Sequence, residues 1–304
     1  MGHAHDHDHH GHAHGGEGTQ RRLLFVAVAG GLIALAEVAG GLAANSLVLL
    51  ADAAHYAADV AAVLLAFAAV RFASRPANAS KTFGYKRAEV LAAFVNAAAL
   101  WGLSAYFAYE AYRRIVAPPE VAGPLVLAVG AATLVANGAL AFVLSRGQRN
   151  LNVRAAYLHV LSDVLGSAAA LVAGGLVTWF GWQLADPVLT IFVTILILVF
   201  TFRLTRDTLH ILLEGTPRHI DVDEVQEAIR AVAPVQDVHE LHLWSLTSGS
   251  DVLTVHVVLD APPQGDAIAH EIHRTLREKF HIDHVTVQVE SPACPCDMAR
   301  CAPA

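Results

Sequence analysis

The chain has 304 residues, 55% hydrophobic and only 15% charged, with a formal net charge of -7, and this balance excludes an ordinary soluble globular protein. The positive mean hydropathy assigns it to the membrane class. The net charge decides little about partners, since 18 His, many of them clustered, can shift it, and no nucleic-acid partner is expected.

The leader, residues 1–20, opens with MGHAHDHDHHGHAHGGEG, which places seven His in the first fourteen positions among Ala, Asp and Gly. Nothing there can bury a core, so a disordered tail is expected. Unlike a purification tag, its His are interspersed, and two readings stay open: a weak zinc collector or a dispensable tail. No cleavable signal sequence is visible, and the first apolar segment would serve as the insertion signal.

Residues 21–210 read as a six-helix membrane domain. Crossing the hydrocarbon core takes about 20 mostly apolar residues in a helix. Six windows meet that length: residues 23–43, 46–72, 88–112, 122–145, 153–181 and 187–206. Lys and Arg crowd one set of connections: Arg21 and Arg22, then Arg71, Arg75, Lys81, Lys86 and Arg87, then Arg146, Arg149 and Arg154, then Arg203 and Arg206. Only Arg113 and Arg114 fall on the other side. Positive flanks stay in the cytoplasm, so both termini are expected there, in a multi-pass protein of the inner (plasma) membrane.

The second span, ADAAHYAADVAAVLLAFAAV, carries His55 and Asp59 four residues apart, hence on one helix face, with Asp52 extending the stripe. The fifth span repeats the spacing and order with His159 and Asp163. A charged group at a helix centre costs about 3 kcal/mol on the insertion scale. Four such groups need a shared partner, and two imidazoles with two carboxylates form the four-coordinate set that zinc takes. Hydrogen bonding between helices is the plain alternative. It gives no reason for two spans to repeat both identity and spacing. Asp52 reads equally as an outer-shell carboxylate, an ion-pathway group or a helix contact. Glu37, Asn45, Glu89, Asn96, Asn137 and Asp186 read as inter-helix hydrogen bonding or capping.

From residue 211 to 291 the character changes to a small soluble domain. DVDEVQEAIRAVA is an amphipathic helix, DVHELHLWSL and VLTVHVVLD form a hairpin around TSGSD, AIAHEIHRTLREKF is a second helix, and HVTVQVE is a last strand. This αββαβ order predicts a ferredoxin-like layer of helices on a sheet. His242, His270 and His273 read as surface. Residues 292–304 form a tail with Cys294, Cys296 and Cys301, whose thiols suit soft metal ligation better than a disulfide framework on a reducing side.

The stretches NSLVLLADAAHYAAD, KTFGYKRAEVLAAFVNA, NVRAAYLHVLSD, ADPVLTIFVTILI, LLEGTP and VHELHLWSLTSG occur in that order between about residues 23 and 290. Together they resemble the cation diffusion facilitator family of zinc transporters, of the zinc, cadmium and cobalt efflux type. The resemblance implies a homodimer that exports Zn2+ across the lipid bilayer in exchange for protons. It places the transport site at His55, Asp59, His159 and Asp163. It further implies a regulatory zinc site on His239, His256 and Glu290, with His284 near in sequence, and offers the tail cysteines as additional ligands. The loop between spans two and three departs from members that bind metal there, having Phe83, Gly84, Tyr85 and Lys86, and no metal is assigned to it.

The imidazole chemistry supports exchange independently. A neutral imidazole binds zinc, and protonation at a pKa near 6.5 competes for the same nitrogen. No catalytic cofactor is expected; zinc is cargo and regulatory ligand. Two other classes compete with this reading. An intramembrane metal hydrolase would need an open coordination position and an acid or base beside it, and HEIH is not the HExxH pattern. A membrane-anchored zinc sensor explains the tails and soluble domain but leaves the intramembrane quartet without a purpose.

Overall fold

The computed structural model describes residues 14–145, 151–259 and 265–291. Six long helices come first: α1 (His14–Ala44), α2 (Leu47–Ala73), α3 (Ala88–Val116), α4 (Gly123–Ser145), α5 (Leu151–Phe180) and α6 (Ala185–Leu212). By length and composition α2 to α6 are each apolar enough to cross a membrane, and Val28–Ala44 within α1 forms a shorter apolar helix. Large apolar side chains such as Val63, Leu64, Phe67, Val199 and Phe200 lie exposed, which suits lipid as solvent. The chain divides into two compact units, one of residues 1–61 and 98–201, the other of residues 62–97 and 202–304.

In the first unit, helix contacts run through small residues. A β-carbon added at Gly130 on α4 would lie 2.7 Å from the Leu171 backbone nitrogen on α5. One added at Gly174 on α5 would lie 2.7 Å from Leu127 Cα on α4. The backbones of α4 and α5 therefore touch, as small residues permit between helices in lipid. Val126, Ala169, Ala170, Ala173 and Val177 fill the seam, with Val48, Leu49 and Val193 packed beside them.

Asp186, fully buried at the start of α6, is the polar anchor of this unit. Its Oδ1 accepts from Ser46 Oγ at 2.5 Å and its Oδ2 from the Leu47 backbone N–H at 2.7 Å. A carboxylate from a neighbouring helix thus caps the N-terminus of α2, whose first N–H groups lack partners within the helix. Asn45, at φ 54, makes the turn from α1, and Arg114 donates to its carbonyl at 2.7 Å. The capping reading of Asn45 and Asp186 agrees with these bonds.

The second unit holds the C-terminal domain: α7 (Val222–Arg230), β1 (Val235–Thr247), β2 (Ser250–Leu259), α8 (Gly265–Phe280) and β3 (His284–Glu290). Asp221 caps α7 by accepting from Asp223 N–H. Val225 and Ile229 of α7 and Ile268, Ile272 and Leu276 of α8 are buried against Leu253, Val255 and Val257 of β2. β1 and β2 pair antiparallel around a two-residue turn, Ser248–Gly249, with Gly249 at φ 76. β3 returns through α8 to lie parallel to β2, so the sheet order is β1-β2-β3. The ferredoxin-like pattern has another strand between these two. The αββαβ order lacks it, and β2 and β3 pair directly.

The same unit contains the α2–α3 connection, which docks onto the C-terminal domain. Arg87 pairs with Glu214 at 2.8 Å, Lys86 donates to Ser250 Oγ at 3.0 Å, and Thr247 Oγ1 donates to Glu89 at 2.8 Å.

The close helix seam makes a direct prediction. Gly174→Ala should destabilise the detergent-solubilised protein by about 1–3 kcal/mol, the range for overpacking. Gly138→Ala on α4, which meets open space, should leave the thermal midpoint unchanged or slightly raised. Thermal unfolding followed by tryptophan fluorescence checks both.

Candidate metal centres

The helical spacing brings the membrane quartet together. On α2, His55 Nε2 lies 3.7 Å from Asp59 Oδ2; on α5, His159 Nε2 lies 3.9 Å from Asp163 Oδ2. Across the two helices His159 Nε2 approaches Asp59 Oδ2 at 3.4 Å, and the two imidazole rings are 6.1 Å apart. Asp59 is therefore the common neighbour of both imidazoles.

These separations are longer than good N–H···O hydrogen bonds of 2.7–3.2 Å. Two ligands of one tetrahedral zinc, bound at about 2.0–2.1 Å, stand roughly 3.3 Å apart. Each successive pair thus has about the spacing of two ligands of one ion, while the four side chains run as a chain of contacts from His55 to Asp163 and do not all converge on one point. His55 Nδ1, Asp59 Oδ2 and Asp163 Oδ1 are buried and take no hydrogen bond. Exposure is graded: the Asp163 side chain is 1% exposed, His159 43%. The carboxylate is the fixed floor of the group and the imidazole its open side.

Asp52 lies one turn away from this group, 2% exposed. Its carboxyl rests against the backbone of α5, where a β-carbon on Gly166 would come 2.7 Å from Asp52 Cγ. Nearby, Tyr56 donates to Asn137 Oδ1 at 2.8 Å, and Asn137 Nδ2 donates to Ser167 Oγ at 3.0 Å. The inter-helix role expected for Asn137 is the one these bonds display.

A second group assembles on the sheet. His239 on β1 and His256 on β2 are directly opposed residues of the ladder, with rings 5.4 Å apart. Glu290, at the end of β3, reaches both: Oε2 is 3.4 Å from His239 Nε2 and Oε1 is 2.9 Å from His256 Nδ1. Among the described residues this is the group of three whose ligand atoms all lie within 4.8 Å of one another. The cross-strand distance of a paired ladder, about 4.5–5.5 Å between Cβ atoms, makes that convergence a property of register.

Two carboxylates join this group that sequence reading did not single out. Glu240 Oε2 lies 3.6 Å from His256 Nε2, and Asp237 Oδ2 lies 3.6 Å from His239 Nδ1. In a regular strand Glu240 would face away from His239. Here the register shifts between His239 and His242, and Glu240 sits at φ 48, so the irregularity brings its side chain to the His face. Period-2 reasoning has no signal for it.

His284 requires a correction. It opens β3, opposite Val252, six residues before Glu290, or about 20 Å along the strand at 3.3 Å per residue. Its ring packs edge-on against Phe83 at 5.3 Å. Nearness in sequence to Glu290 misled because an extended strand separates its two ends. His242, His270 and His273 are exposed, as expected of surface residues. Cys294, Cys296, Cys301 and the His-rich leader up to residue 13 lie outside the described residues.

Comparison with known proteins follows the same division of the chain. Residues 23–213 match the model of the cation efflux transmembrane domain, and residues 217–292 that of the cation efflux protein cytoplasmic domain. The chain is 42% identical over 302 residues to the cadmium, cobalt and zinc/H(+)-K(+) antiporter of Bacillus subtilis (strain 168), covering 96% of this chain and 93% of that one. It is 39% identical over 287 residues to the metal cation efflux system protein CzcD of Cupriavidus metallidurans, covering 94% and 90%. It is 41% identical over 278 residues to the zinc transporter ZitB of Escherichia coli (strain K12), covering 90% and 88%. A solved metal-bound C-terminal domain of the CzcD transporter is 43% identical, covers 23% of this chain and 99% of that chain, and superposes with a TM-score of 0.22.

The sheet group separates two otherwise similar substitutions. Glu240→Ala should weaken zinc binding there about tenfold or more, the usual cost of removing a group that supports a ligand. His284→Ala should not change it. Competition of the full-length protein against a chromogenic zinc chelator tells the two apart.

Proposed function

This chain belongs to the cation efflux family, and from that premise we propose that it exports Zn2+ from the cytoplasm in exchange for a counter-ion by alternating access, with His55, Asp59, His159 and Asp163 as the transport site. It is a multi-pass membrane transporter of cations and not an enzyme, which removes the hydrolase reading. The observation that carries the site assignment is the contact of two His-x-x-x-Asp pairs from α2 and α5, in which both imidazoles approach Asp59 Oδ2 and His159 also approaches Asp163.

The donor set supports zinc as cargo. Two imidazoles and two carboxylates suit a d10 ion that accepts tetrahedral geometry. Cadmium and cobalt, which appear with zinc in the name of the Bacillus relative, are the further ions proposed. Each cycle loads the quartet from the cytoplasm, reorients the helices and releases the ion outside. Outside protons promote release, because an imidazole that takes a proton loses its hold on the metal.

The C-terminal domain is proposed as the dimerising and zinc-sensing part, with His239, His256 and Glu290 as its ligands; the name of the CzcD structure, a metal-bound C-terminal domain, supports that role. Both termini are placed in the cytoplasm on the distribution of Lys and Arg, in an inner (plasma) membrane.

Asp59→Asn and Asp163→Asn should each lower zinc flux into proteoliposomes about a hundredfold, since a lost ligand costs at least what a lost supporting group does. Flux retained in either variant sinks the site assignment. The pH sign is also set: raising the pH on the release side leaves fewer protons to compete with the metal for its ligands and slows release. A zinc-sensitive dye inside vesicles of varied internal pH measures it.

A further inference from the structure

The end of α2 and the connection to α3 carry charge that the protein itself does not neutralise. Residues 60–88 hold no Asp or Glu, yet they include Arg71, Arg75, Lys81, Lys86 and Arg87. Lys86 and Arg87 dock on Ser250 and Glu214. Arg71, Arg75 and Lys81 are exposed, and among the described residues none of these three is in an ion pair.

Their setting is prearranged. The Arg71 guanidinium lies over the Phe67 ring, 5.6 Å from its centroid, and that of Arg75 over the Phe72 ring at 4.6 Å. A ring takes one face of a guanidinium and leaves its N–H edge free to donate. Phe72 packs against Tyr85 at 4.8 Å, and the Tyr85 hydroxyl accepts from Asn78 Nδ2 at 2.9 Å. Asn78 Oδ1 in turn accepts from the N–H groups of Ser80 and Lys81, each at 3.0 Å. Gly84, at φ 73, donates to the Lys81 carbonyl at 2.9 Å, and a β-carbon on it would lie 3.7 Å from the Arg75 carbonyl oxygen. Arg75 and Lys81 thus stand on one folded turn, and a ligand that meets it has little left to order.

The position of these groups names the ligand. They lie where α2, long and apolar enough to cross a membrane, comes to its end. Phe67 is 64% exposed and Phe72 40%, so both rings also face lipid. Four residues of helix rise about 6 Å, close to the roughly 5–7 Å of headgroup on each side of the hydrocarbon. With the Phe67 ring at the hydrocarbon edge, the Arg71 guanidinium is level with the lipid phosphates. A guanidinium matches a phosphate with two parallel N–H bonds. A zwitterionic lipid brings its own ammonium to its phosphate, whereas an anionic one leaves that charge for the protein. We propose that Arg71, Arg75 and Lys81 form a binding surface for the headgroup of an anionic phospholipid, with the free sides of Phe67 and Phe72 against its acyl chains. The connection that docks on the C-terminal domain is thereby also tied to the lipid.

The test titrates the full-length, detergent-solubilised protein with phosphatidylglycerol, phosphatidylcholine or water-soluble glycerol 3-phosphate, and reads the first bound lipid by native mass spectrometry. Each cation at a membrane surface contributes about fivefold, so the unaltered protein should prefer phosphatidylglycerol about tenfold or more. Arg71→Gln combined with Arg75→Gln should lower the phosphatidylglycerol affinity about tenfold or more and leave that for phosphatidylcholine within about twofold. Lys81→Gln should lower it about fivefold, and serves alone if the double variant does not fold. Arg203→Gln, which removes another exposed cation from α6, should leave it within about twofold. Equal affinity of the unaltered protein for the two lipids overturns the proposal, as does undiminished phosphatidylglycerol binding in the folded variants. An equal fall with Arg203→Gln overturns it in favour of diffuse charge attraction. Full competition by glycerol 3-phosphate at the lipid's own concentration overturns it in favour of a site for free phosphate.

Discussion

An ionised side chain carried into hydrocarbon must meet a compensating charge, and the packing around α2 and α5 answers that requirement repeatedly. His55 and Asp59 face His159 and Asp163 across the helix pair. Asp186 sinks its charge into the N-terminus of α2 and the Ser46 hydroxyl. Such close meetings need backbones that approach, which is why Gly130 and Gly174 line the α4–α5 seam and Gly166 lies under Asp52. Small residues and charges are two parts of one arrangement: removing bulk lets polar groups find partners that lipid cannot supply.

The two candidate metal centres solve the problem of convergence differently. In the membrane, the candidate ligands come from i,i+4 pairs on two helices, and their nearest contacts run in sequence from His55 through Asp59 and His159 to Asp163. In the C-terminal domain, three ligands on three neighbouring strands all lie within 4.8 Å of one another. A ladder ties its residues to the neighbouring strand by backbone hydrogen bonds, with β2 held on both sides, whereas helices in lipid can shift against each other with their internal bonds intact. A site that must let its ion go is better built on the second kind of support, and a site that senses concentration on the first.

In the second unit the connection between α2 and α3 docks on the C-terminal domain. Between α2 and α3 the chain turns through Phe83, Gly84 and Tyr85, and its polar residues dock on the C-terminal domain: Lys86 to Ser250, Arg87 to Glu214, Glu89 to Thr247. Phe83 covers His284. Exposed ion pairs contribute little stability singly. Several contacts from one short segment define a position for that segment, and motion of either partner is passed to the other through it.

Apolar length, repeated His-x-x-x-Asp spacing and the change to short alternating stretches after residue 210 were legible as helices, two facing His–Asp pairs and an αββαβ domain. These are local properties: a span needs only its own hydropathy, and two residues four apart share a helix face whatever surrounds them. The pairing of His239 with His256 became visible with the hairpin, since an antiparallel register follows from its turn. Glu240 beside His256 and His284 far from Glu290 were decided by tertiary structure alone. The first depends on an irregularity in β1, the second on strand length and direction. Each is a relation between elements, and the residues of one element do not encode the position of another except through the packing that joins them.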